Sequence, residues 1–116
     1  MASQSEDFIT RTQGDILIAR FKTESLVNAH DIDRIQTRLL AMVDAGSRKV
    51  VLDFKNVQFV SSAMLGMMIA LSKKLAERHG KLVISHPEHL LELLKVSRTE
   101  RLFTLADDPK QAIKLF

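Results

Sequence analysis

Ser61 and Ser62 stand side by side in the stretch VQFVSSAMLGMMIAL, residues 57–71, where a strand-like apolar run meets a Met-rich run. Their position decides what their hydroxyls can do. Ser62 falls where extended chain enters a helix. The N–H groups of a first helical turn have no intrahelical partner, and the positive end of the dipole favours negative charge. A serine there can cap the helix, worth about 1 kcal/mol. It can also accept a phosphoryl group, adding roughly −1.5 to −2 of charge where the helix tolerates it and a bound partner does not. On the residues alone, capping is the stronger reading.

Other candidates for chemistry are weaker. His86 and His89 flank Pro87-Glu88, a spacing that can put two imidazoles on one helix face as metal ligands. They lie at a strand-to-helix loop with no second ligand cluster, so a solvated helix start is expected and no metal. His30 begins a helix whose Asp31 and Asp33 are explained by capping and the dipole. Lys73, Lys74 and Arg78 read as the solvated face of their helix. The four glycines, at 14, 46, 66 and 80, allow neither a G-x-G-x-x-G nor a P-loop, and no Gly-x-Ser-x-Gly elbow can be written. With no cysteine there is no thiolate metal site or thiol nucleophile. No enzymatic activity and no cofactor are expected.

The 116 residues are 46% hydrophobic and 27% charged, which suits one folded domain with a single core. The net charge is +3, with Lys and Arg dispersed among Asp and Glu. Tyr and Trp are absent, and the Phe residues sit in apolar contexts rather than as stacking platforms. Direct nucleic-acid binding is therefore not expected. The start, MASQSEDF, lacks the basic-then-apolar layout of a secretory signal. The longest apolar run, Val60 to Leu71, is too short to span a bilayer. A cytoplasmic chain without membrane insertion is expected.

The elements that must position the serines can be read from periodicity. Residues 1–7 are expected to be disordered, with one domain over 8–116. Phe8–Gln13 and Ile16–Phe21 read as a hairpin around Gly14-Asp15. Residues 23–29 form a connector, and apolar residues recur at helical spacing from His30 to Ala45, before Gly46. Lys49–Phe54 is a strand buried on both faces. Residues 57–60 approach the serines in extended form, and Ser62–His79 is a helix ending at Gly80. Leu82–Ser85 is a strand, Pro87 starts a helix over Glu88–Val96, Leu102–Leu105 is a strand, and Asp108-Pro109 opens a last helix. The alternation predicts an α/β fold with a mixed, mostly parallel sheet of four or five strands and about four helices.

The run VVLDFKNVQFVSSAMLG, residues 50–66, resembles the core of STAS domains, in particular of the anti-sigma factor antagonist type. In that family a buried strand leads through a polar turn and an apolar pair to Asp-Ser-x-Gly-Leu-Gly at the start of a helix. Aligned on Phe59 and Leu65-Gly66, Ser62 takes the place of the family's phosphorylatable Ser or Thr. Ser61 replaces the preceding Asp, and Met64 replaces the first Gly. The Leu-rich helix followed by RLFTLADDPKQAI extends the resemblance over nearly the whole chain.

The resemblance implies a non-enzymatic STAS-fold module. Its partner would be an anti-sigma factor that is also a serine kinase of the histidine-kinase-like ATPase type, and a PP2C-type phosphatase would reset it. Transcription would thus be regulated indirectly, by partner switching. Phosphorylation is expected at Ser62, with Ser61 as second choice, and now stands level with simple capping. Asn28, where the family often has Asp, is expected to face the partner together with Ser61, Ser62, Ala63, Met64 and Met67. The methionines are either core or, at Met67 above all, an exposed adaptable contact. Two other readings of the family remain: a STAS subunit of a membrane assembly such as a lipid-trafficking ABC system, or a module that senses a small ligand or nucleotide at Ser62.

Overall fold

The computed structural model describes residues 3–4 along the backbone and residues 7–116 in full. The elements run β1 (Ser3–Gln4), β2 (Phe8–Gln13), β3 (Ile16–Phe21), β4 (Ser25–Leu26), α1 (Ala29–Asp44), β5 (Lys49–Asp53), β6 (Phe59–Val60), α2 (Ser62–Glu77), β7 (Lys81–Ser85), α3 (Leu91–Val96), β8 (Thr104–Ala106) and α4 (Pro109–Ala112). Short 3-10 turns follow at Glu100–Leu102 and Ile113–Leu115. Six strands form one sheet in the order β1-β2-β3-β5-β7-β8. The first three are antiparallel, and the pairs β3-β5, β5-β7 and β7-β8 are parallel. This is the mixed, mostly parallel α/β architecture expected, with the two-residue β1 added at one edge.

The disordered segment expected over residues 1–7 lies partly outside the described residues. Within them, Ser3 and Gln4 pair with Thr10 and Ile9. Asp7 is buried, and its carboxylate accepts two hydrogen bonds from Arg34, each at 2.8 Å. A bidentate guanidinium on a buried carboxylate holds this part of the chain down.

The strands carry two cores because successive side chains point to opposite faces. Leu17, Ala19, Val50, Leu52, Leu82 and Ile84 pack with residues of α1, α2 and α3. Ile18, Val51 and Val83 pack with Ala106 and with Ala112 of α4. The unbroken apolar runs of β5 and β7 are thus buried on both faces, as such runs predict. Helix α1 contributes Ile32, Ile35, Leu39 and Val43, and α2 contributes Met64, Met68, Leu71 and Leu75. The far ends of these two helices are tied together. Arg78 Nη1 lies 2.7 Å from Asp44 Oδ1 and donates to the Val43 carbonyl at 3.3 Å.

Four boundaries differ from expectation. The connector at 23–29 contains β4, which pairs with β6 in a separate two-stranded sheet. Helix α2 stops at Glu77, and the left-handed residue that turns the chain is His79, at φ +61°, not Gly80. Gly80 serves closeness instead, since a Cβ there would collide with the Arg48 carbonyl oxygen. Helix α3 begins at Leu91, because His86 adopts φ +51° and the Leu90 N–H bonds to the Pro87 carbonyl in a turn. The last strand is displaced to Thr104–Ala106 by the 3-10 turn before it.

Candidate functional site at the paired helix starts

Strands β4 and β6 run parallel, with Ser25 opposite Phe59 and Leu26 opposite Val60. The Ser61 N–H then donates to the Leu26 carbonyl at 3.1 Å. Each strand leads within three residues into a helix, β4 into α1 and β6 into α2. The two helices therefore start side by side, and both positive dipole ends emerge at one edge of the molecule.

Both starts are capped by side chains. Asn28 Oδ1 accepts the N–H groups of His30 and Asp31 at 2.9 and 3.2 Å. It does the capping that Asp31 was expected to provide. At α2 the cap is Ser61, whose Oγ accepts the Met64 N–H at 3.2 Å. Ser62 is the first residue of α2 itself and is exposed. Among the described residues, its hydroxyl makes no hydrogen bond. The two serines therefore differ in geometry: Ser61 caps the helix, and Ser62 is exposed at its first position.

Asn28, Ser62 and Ala63 are exposed, and Ser61 is partly so. Met64 and Met67 are buried, at 0% and 4% exposure, together with Met68. Their expected place on a partner-facing surface is corrected accordingly. The reason is their phase: Met64, Met67, Met68, Leu71 and Leu75 recur at i, i+3, i+4, i+7 and i+11, which puts all of them on the stripe facing the sheet and α1. The outward stripe is made of small residues, Ala63, Gly66 and Ala70, all exposed.

Sequence reasoning missed the apolar surface that adjoins the serines. Val27 is 51% exposed, Phe59 57% and Val96 76%. With Val60 and Leu93 they line a shallow groove between the small sheet and α3. Phe59 and Val27 lie outside the main core because β4 and β6 form their own two-stranded sheet. The signal available in sequence was an apolar residue on each side of the strand ends with no helical or strand period to bury it. Exposed aromatic and β-branched residues clustered in this way mark an interaction surface.

The histidines do not converge. His86 lies 4.0 Å from Asp53 Oδ1 and 3.8 Å from Glu88 Oε1, whereas His89 borders a groove with Lys22 and Lys55. Among the described residues, no group of three His, Asp or Glu could hold a metal ion. Nor is any described helix long and apolar enough to cross a membrane.

Comparison with known proteins bears on the family and the fold. The family model of the STAS domain matches residues 7–112. A Bordetella bronchiseptica protein named "Putative anti-sigma factor antagonist BtrV" is 30% identical over 94 residues, which cover 80% of this chain and 81% of that protein. Among solved structures, a crystal structure of TM1081 from Thermotoga maritima superposes with a TM-score of 0.83 at 17% identity, covering 93% of this chain and 92% of the other. Bacillus SpoIIAA in its phosphorylated form gives 0.72 at 13% identity, covering 94% and 99%. At such identities the structures speak for the fold. Taken with the family match and the BtrV relative, they lead to one statement: the chain belongs to the STAS domain family, in its anti-sigma factor antagonist type.

Proposed function

We propose that this protein is an anti-sigma factor antagonist whose binding is switched by phosphorylation of Ser62. In the unmodified state it binds an anti-sigma factor that is also a serine kinase, in the cytoplasm, and so releases the sigma factor. Asn28, Ser61, Ser62 and Ala63 would form the polar part of the contact. Val27, Phe59 and Val96 would supply its apolar part, in the role first expected of the methionines.

The observation that carries this reading is the exposed Ser62 hydroxyl, released from capping by Ser61, at an edge where two helix dipoles converge. Ser62 Oγ would attack the γ-phosphorus of ATP held by the partner, giving up its proton as ADP leaves. The product would carry roughly −1.5 to −2 of charge. Each helix start offers about half a positive charge, so the modified protein stays folded. The penalty falls on the complex, where the phosphate would have to be desolvated against a fitted surface. A phosphatase would reset the switch by hydrolysing the ester.

The reading is tested by measuring affinity for the kinase-type anti-sigma factors encoded in the same genome. Ser62→Asp should weaken binding about tenfold or more, while its melting temperature stays at or above that of the parent. Equal losses of binding and of thermal stability would count against a surface switch.

A further inference from the structure

The sheet face turned away from α1 and α2 is only partly covered. Helix α4 packs with Ile18, Val51, Val83 and Ala106. Beyond it, toward β2, a hollow of about 150 Å³ is lined by Ile9, Arg11, Ile18, Arg20 and Asp53. Strand register explains the grouping. Ile9 pairs with Arg20, Arg20 with Asp53, and Asp53 with Ser85, so these four side chains form one row across β2, β3, β5 and β7. Arg11 lies in the next row, opposite Ile18. Asp53 and Ser85 are the last residues of their parallel strands, at the end where open α/β sheets bind ligands.

The polar groups of this row are unusually idle. Asp53 is 4% exposed, and its Oδ1 accepts the Lys55 N–H at 3.2 Å. Its only ionic neighbour among the described residues is His86, at 4.0 Å. Arg20 stands opposite Asp53 in register and makes no hydrogen bond or ion pair among the described residues. Ser85 Oγ, in the same row but not lining the hollow, is fully buried and has no hydrogen-bond partner among the described residues. At the hollow itself the nearly buried Asp53 carboxylate keeps acceptor capacity beside the exposed guanidiniums of Arg11 and Arg20, a pairing that suits a ligand supplying both a donor and an acceptor.

We propose that this hollow binds a small zwitterion of the α-amino-acid class. Its carboxylate would lie on the guanidiniums of Arg11 and Arg20, whose planar forks match that group. The ammonium would face Asp53, which accepts hydrogen bonds, and the side chain would rest between Ile9 and Ile18. The hollow is open to solvent and has room for the head group of an amino acid. The site lies on the opposite face from Ser62 and does not depend on the phosphorylation reading.

The test is an amide NMR titration of the full chain with each of the twenty α-amino acids, to about 10 mM. Acetate and inorganic phosphate serve as anion-only controls. At least one amino acid should give saturable shifts at Ile9, Arg11, Ile18, Arg20 and Asp53. Arg20→Gln, at an exposed position, and Asp53→Asn, which keeps an acceptor for Lys55, should each weaken it about tenfold or more. No saturable shift at these residues with any amino acid would overturn the proposal. So would acetate or phosphate binding as tightly as the best amino acid, with no effect of Asp53→Asn.

Discussion

Ser61 and Ser62 are one peptide apart yet have different work, because a helix start is sharp on the scale of one residue. The residue before the first turn can bring its oxygen back to the N–H three positions on; the next residue cannot. Ser61→Ala should therefore cost about 1 kcal/mol, lowering the melting temperature by about 3–6 °C. Ser62→Ala should stay within about 0.5 kcal/mol of the parent. Differential scanning calorimetry separates the two, and a larger loss at Ser62 would mean that the cap had been assigned to the wrong hydroxyl. The sequence pattern placed the helix start at Ser62, as the structure has it, but gave the cap to that same residue, whereas the cap is Ser61. Nothing in composition distinguishes a cap at 61 from one at 62. The methionines were illegible for a related reason. In a run as uniformly apolar as AMLGMMIAL, hydrophobic residues fall on every face, and only the packing partner decides which are inside.

The long elements were legible because burial imposes a period. Leu17, Ala19 and Phe21 alternate with residues of the opposite sheet face, and Ile32, Ile35 and Leu39 step by three and four. The pair β4-β6 was not legible, since two residues per strand carry no period at all. Its pairing comes from tertiary context, and it is this pair that sets the two helix starts beside each other. At the opposite end of α2, the turn into β7 depends on Gly80 for space and on His79 for handedness. Gly80→Ala should push the chain off Arg48 and cost about 1–3 kcal/mol. His79→Gly should be neutral or stabilising, because glycine adopts positive φ without a Cβ clash. Chemical denaturation of the two variants checks the assignment. Destabilisation by the glycine at 79 and tolerance of alanine at 80 would reverse it.

At the scale of the whole molecule, the fold separates its surfaces. One edge carries the two helix starts, the exposed Ser62 and the apolar groove of Val27, Phe59 and Val96. The far sheet face carries the hollow of Arg11, Arg20 and Asp53. The resemblance in residues 50–66 was enough to find the family and the candidate serine. It could not find the groove, whose members are scattered at 27, 59 and 96 and meet only in the folded chain. The central claim is that Ser62 is the phosphoacceptor of a partner switch. It is tested most directly by incubating the protein with ATP and each kinase-type anti-sigma factor of its own genome, then mapping the phosphate by mass spectrometry in the parent, Ser61→Ala and Ser62→Ala. The account predicts phosphate on Ser62 in the parent and in Ser61→Ala, and none in Ser62→Ala. Phosphate on Ser61 alone, or no modification by any of these kinases, would contradict it.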